Sequence, residues 1–214
     1  MMINSLWELF VKDVFPVPST ETLFNPYYIN DPSVDLPHGS TIRKQNLYNY
    51  LNSFLETPPV LLIGEAPGPW GCRFSGIPFT SEKQLAENKL PFKGLPSSTF
   101  NPPMAERSAS IFWGTMATYH PHFFIWNCIP LQPHPPEEPF TIRSPHRNEL
   151  EGFNHILSKI VEIIQPKHIY SIGRKSEQAV KSLGLHPTYI RHPSHGGKRD
   201  FQNGIRAGLD VFLQ

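Results

Sequence analysis

Apolar residues fall along this chain in two rhythms. Four short runs, Val60-Leu61-Leu62-Ile63, Phe123-Phe124-Ile125-Trp126, residues 168–172 and Thr188-Tyr189-Ile190-Arg191, are strand-length and almost free of charge. That is the pattern of strands buried on both faces. Around them, apolar residues recur at helical spacing over 1–14 and 40–56. In the second of these, Leu47, Tyr50, Leu51, Phe54 and Leu55 form the stripe, Ser40 or Thr41 offers a cap, and Pro58-Pro59 enforces a stop. Further helices are expected over 105–119, 146–164, 174–183 (closed by Gly184) and 198–212. Segments 15–38, 81–104 and 130–145 are too rich in proline for either element and read as long ordered loops. Strands alternating with helices predict a three-layer α/β/α fold with a central four-stranded parallel sheet. At 214 residues the chain suits one domain. Residues 1–58 would supply N-terminal helices and a wrapping loop, and 59–214 the core.

Composition narrows the chemistry. A net charge of +1 provides no global field, so affinity for a polyanion must come from a local patch. Cys72 and Cys128 are the only cysteines and form no Cys-x-x-Cys pair. That excludes a disulfide framework, a four-cysteine zinc site and the ligands of an iron–sulfur cluster. His120 and His122 lack carboxylate or cysteine partners at metal-binding spacing, so neither a metal nor a cofactor is expected. No apolar run reaches membrane-spanning length, and the first segment carries Glu8, Lys12 and Asp13. The expectation is a soluble, intracellular, monomeric protein with no membrane partner.

The candidate chemistry lies at the strand ends. Gly64-Glu65-Ala66-Pro67-Gly68-Pro69-Trp70-Gly71 follows the first run, and Gly76-Ile77-Pro78-Phe79 closes that loop. Asn127 ends the second run, and His192-Pro193-Ser194-His195-Gly196-Gly197-Lys198-Arg199 follows the fourth. In open parallel sheets the loops at the carboxyl ends of the strands enclose the ligand crevice. Taken singly, Phe79 is an ordinary core residue, Asn127 a strand-end cap, His192 a loop residue, and the basic cluster a solvated face. Their joint occurrence in one crevice favours a site.

These motifs, in this order and with Pro130-Leu131 after Asn127 and Gly173-Arg174-Lys175-Ser176-Glu177-Gln178 between, resemble the uracil-DNA glycosylase superfamily. They are most similar to the single-strand-selective monofunctional uracil-DNA glycosylases, whose first motif runs Gly-Met-Asn-Pro-Gly-Pro-Phe-Gly and whose last reads His-Pro-Ser-Pro. Glu65-Ala66 departs from that first motif and is similar instead to the Gly-Glu-Ala-Pro-Gly of the iron–sulfur family, whose cluster this chain cannot build. The resemblance implies a monofunctional glycosylase that excises uracil from single- or double-stranded DNA and so initiates base excision repair. It would act in the cytoplasm of a bacterium or the nucleus of a eukaryote. Phe79 would stack on the extruded base, Asn127 would read its edge, and His192 would donate to the departing anion. Glu65 would position water, and Ala66, Pro67 and Gly68 would complete the base pocket. Ser194, His195, Gly196, Gly197, Lys198 and Arg199 would meet the DNA, aided by Arg191 and Arg206. Gly68 followed by Pro69-Trp70-Gly71, with glycine where the iron–sulfur family carries a Glu that crowds the uracil C5, implies that 5-hydroxymethyluracil is accepted and thymine refused. Two alternatives stand beside this: a non-catalytic nucleic-acid-binding member, or a glycosylase for another deaminated base such as hypoxanthine.

Overall fold

The four apolar runs become the strands of one parallel sheet in the computed structural model, which describes residues 2–213. In chain order the elements are α1 (Met2–Asp13), β1 (Leu23–Phe24), α2 (Gly39–Leu51), β2 (Val60–Gly64), α3 (Cys72–Ser75), α4 (Glu82–Ala86) and α5 (Arg107–Met116). They continue with β3 (Phe123–Asn127), β4 (Gln132–Pro133), α6 (Arg147–Ile164), β5 (His168–Ile172), α7 (Arg174–Ser182), β6 (Thr188–Ile190) and α8 (Lys198–Leu209). The main sheet has the order β3-β2-β5-β6, every pair parallel, and β2 at its centre is buried along its whole length.

Alternation along β3 shows how the layers close. Phe124 and Trp126 face α2 and α1, where Phe124 stacks on Tyr50 and Trp126 on Phe10, with ring centroids 5.5 and 4.4 Å apart. Phe123, on the opposite face, meets Phe112 of α5, which in turn touches Phe201 of α8. The sheet therefore sits between two helical layers, with aromatic pairs at both seams. β3 is an edge strand, and the backbone N–H of Ile125 donates to the Tyr50 hydroxyl oxygen at 2.9 Å, which satisfies part of that edge.

Several expected boundaries move for local reasons. The first helix begins at Met2, and Met1 lies outside the described residues. α2 starts at Gly39, and the backbone N–H of Ser40 donates to Asn30 Oδ1 of the wrapping loop at 2.6 Å, so neither Ser40 nor Thr41 is the cap. The same helix ends at Leu51 because Ser53 turns its hydroxyl onto the Tyr50 carbonyl (2.6 Å), folding Phe54 inward and leaving Leu55 exposed. Segment 81–104, expected to be irregular throughout, holds the short helix α4, fixed by a capping box between Ser81 and Gln84. The wrapping loop and the proline-rich loop pair as β1 and β4, an antiparallel ribbon too short to leave a sequence signal.

Candidate active site at the strand ends

In the sheet register Gly64 and Asn127 are partners, so the last residues of β2 and β3 lie side by side. A Cβ on Gly64 would come within 2.5 Å of Asn127 Oδ1 and 2.7 Å of Phe79 Cε2. Glycine at 64 is therefore what lets an amide and an aromatic ring meet at one point. Phe79 has a left-handed backbone (φ 52°), and its ring stacks on Phe112 at 4.9 Å. Beyond it, Thr80 accepts from the indole Nε1–H of Trp113, which ties the loop to α5.

His192 follows β6, and its ring lies 5.4 Å from that of Phe79. The backbone N–H of Ser194 donates to His192 Nδ1 at 3.2 Å, and the Ser194 hydroxyl lies 2.7 Å from the same atom. An N–H can only donate, so Nδ1 carries the lone pair and the neutral ring holds its proton on Nε2. Electrostatics agrees: burial above all, then the neighbouring Arg191 and His195, lowers the His192 pKa to about 4. The imidazole is uncharged near neutral pH and presents one N–H donor.

A cavity of about 300 Å³ opens between these groups. Ala66, Gly68, Phe79, Asn127, His192, Ser194 and His195 line it, together with Pro69, Trp70, Cys72, Glu106, Arg107, Ser108 and Ile142. Seven expected residues thus converge. Pro67 is buried outside the cavity wall, and Gly197 is buried beneath the last loop. Gly196, Lys198 and Arg199 are exposed on the rim, and Lys198 shares a small cleft with Arg107.

Glu65, expected to position water, is not among the residues that line this cavity. β2 ends at Gly64, and in the bend that follows Ala66 lines this cavity while Glu65 lines another. Its carboxylate lies 4.0 Å from Lys175 Nζ in a separate cleft of about 530 Å³, alongside Ser144, Arg147 and Gln178.

Glu106 carries no signal in the sequence, because the groups its carboxyl packs against, Gly68 and Gly71, are distant in the chain. Burial raises its pKa above the usual carboxylate range. Nor did it mark Ile142, 67% exposed at the cavity mouth. Cys72 and Cys128 are both buried; burial raises the Cys128 thiol to about 12, and that of Cys72 further. Among the described residues no group of three or more His, Cys, Asp or Glu is placed to hold a metal, and no helix is long and apolar enough to cross a membrane.

Comparison with known proteins converges on one group. A sequence profile described as the uracil DNA glycosylase superfamily matches residues 52–207. A single-strand selective monofunctional uracil-DNA glycosylase of Rattus norvegicus is 26% identical over 179 residues, covering 68% of this chain and 63% of that protein. The crystal structure of wild-type Pedobacter heparinus SMUG2 superposes with a TM-score of 0.63 at 16% identity, covering 99% of this chain and 97% of the other. That last likeness carries the fold.

Proposed function

Because the chain belongs to the uracil DNA glycosylase superfamily, we propose that it removes uracil from DNA by hydrolysing the N-glycosidic bond, taking the extruded base into the cavity at the strand ends. The observation that carries this reading is the neutral His192, whose one N–H donor lines the same cavity as Asn127 and Phe79. As the bond to C1′ breaks, negative charge gathers on uracil O2. A preorganised donor there is worth on the order of 3 kcal/mol, and an uncharged one avoids binding the ground state equally well.

Phe79, braced from behind by Phe112, offers the stacking face. Asn127 can donate to O4 while accepting from N3–H of uracil, a pairing that cytosine inverts, so cytosine would strand buried polar groups. Water enters at C1′, the sugar takes the hydroxyl, and the base leaves with the proton. Gly68 adds no side chain beside the C5 edge, which supports acceptance of 5-hydroxymethyluracil. The exposed Lys198, Arg199 and His195 on the rim suit contact with DNA phosphates.

The test is direct. A uracil-containing oligonucleotide incubated with the protein should break only after alkali, as expected of a monofunctional enzyme that leaves an abasic site. No break after alkali would refute excision, and a break without it would indicate lyase chemistry. His192→Ala should lower the single-turnover rate about 100-fold while leaving DNA binding within a few-fold.

A further inference from the structure

The cleft that Glu65 lines is the larger of the two at the strand ends, about 530 Å³ against about 300 Å³ for the cavity of His192. Leu150 and Asn154 of α6 and Gln178 and Ala179 of α7 line it, each helix contributing one face. The partition between cleft and cavity is thin at two points. Glu65 and Ala66 are consecutive and line different spaces, and Ser144 of the cleft is separated from Ile142 of the cavity by Arg143 alone. Arg143 holds that ridge in place through two bonds to Glu149, at 2.8 and 2.7 Å. Consecutive Cα atoms lie about 3.8 Å apart, close to the ~3.4 Å between successive bases along one DNA strand. A base seated in the cavity therefore leaves its neighbour on the strand within one step of the cleft.

The lining suits a nucleotide. Pro145, Leu150 and Ala179 offer apolar surface to a ring, while Lys175, whose ammonium meets the Ser144 hydroxyl, and the exposed Arg147 are cations for a phosphate. The Glu65 carboxylate accepts no hydrogen bond among the described residues, and its one cation within reach is Lys175 Nζ at 4.0 Å. A carboxylate can only accept, so it matches an exocyclic amino group such as N4 of cytosine and opposes the carbonyl oxygen that thymine carries at the same place. Resting on the function proposed above, we propose that this cleft is a subsite for the base next to the extruded uracil on a single strand, and that Glu65 reads that base in favour of one bearing an amino group. In a duplex the neighbour stays paired and stacked, which confines the subsite to single-stranded DNA.

Single-turnover excision of uracil, with protein below saturation, from single-stranded oligonucleotides that differ only beside the uracil tests this with the full chain. An abasic residue on one side should lower the rate about tenfold or more, the scale of burying one ring, and on the other side leave it within about threefold, since one cleft serves one neighbour. On the sensitive side cytosine should be preferred to thymine about tenfold, the scale of one hydrogen bond to a charged group. Glu65→Gln, whose amide both donates and accepts, should bring that preference within about twofold. Ala179→Phe, which fills the cleft from α7, should make the rates with and without the neighbouring base equal; Ser182→Phe, on the same face at the exposed rim, reads the same way should the first variant give no folded protein. Ratios taken within one preparation do not depend on the fraction folded. The proposal is overturned by rates indifferent to an abasic neighbour on either side, by equal loss on both sides, by a neighbour effect that survives in the filled variants, or by a cytosine preference unchanged in Glu65→Gln. A parent inactive on uracil in every context overturns the proposed function instead.

Discussion

Phe79 holds its ring in place from a backbone angle, φ 52°, that costs a non-glycine residue on the order of 1 kcal/mol or more. Replacement by glycine would release that strain while removing the ring, so Phe79→Gly should melt no lower than Phe79→Ala. Both should lose excision. Calorimetry beside oligonucleotide cleavage checks the pair, and a Gly variant clearly less stable than the Ala one would show that the angle is unstrained. Gly64→Ala inserts a methyl between Asn127 and Phe79 and should abolish uracil excision while the far-ultraviolet spectrum stays that of the parent. His192 predicts a pH profile. With its pKa lowered to about 4 from the ordinary 6.5, the donor remains neutral through mild acid, so the part of the acid limb due to this group should fall below pH 5. The linkage to stability has the same sign. Above 6.5 the ring is neutral folded or unfolded; as pH falls from 6.5 towards 4 only the unfolded chain binds the proton, and stability drains away across that window. An acid limb at 6.5 that disappears in a His192 variant would contradict the assignment.

At the level of elements, two buried arginines tie the long loops to the body of the fold. Arg43 of α2 is fully buried and bonds the Pro26 and Ile29 carbonyls, Ser97 Oγ and Asp35 Oδ2, joining the wrapping loop to the segment after α4. Arg73 of α3 bonds Asp31 and Gln132, each at 2.9 Å, and lies 3.7 Å over the Phe24 ring, joining α3 to the β1–β4 ribbon. Arg43→Met leaves the Asp35 carboxylate uncompensated in the interior and should cost about 3–5 kcal/mol in urea titration. A loss under 1 kcal/mol would mean that the loops hold without it. These elements also mark the limit of what the sequence discloses. β2, β3, β5 and β6 were legible because unbroken apolar runs have few other uses, and the crevice was legible because parallel strands deliver their ends to one side. β1, β4, α3 and α4 were not, since elements of two to five residues rest on partners distant in the chain. Asn127 and His192 announced themselves by standing at strand ends. Glu106 did not, because the groups it packs against are two glycines more than thirty residues upstream, and the separate cleft that Glu65 lines was not legible because a motif records adjacency but not which way a side chain points.

For the molecule as a whole, charge is distributed by place rather than in sum. The net value is +1, yet Arg107 lines the cavity, Lys198 shares a cleft with it, and Arg191 and Arg199 flank the loop that carries His192; among the described residues none of the four has an ion-pair partner within 4.0 Å. Binding to uracil-free DNA should therefore weaken steeply with salt. Lys198→Ala and Arg199→Ala should each flatten a plot of log affinity against log salt by roughly one unit without changing base preference. Slopes identical to the parent would move the DNA path elsewhere. The two buried thiols carry a different consequence. Only a thiolate attacks a disulfide reagent, releasing the reagent's own thiolate, and burial keeps both Cys72 and Cys128 protonated near neutral pH. Labelling must then wait for the chain to open, which makes the pair a built-in clock for native-state fluctuation, one hand in the cavity wall and the other beside the central strand. If both react together at one slow rate, the strand ends open only when the whole sheet does; if Cys72 runs ahead, the pocket breathes on its own.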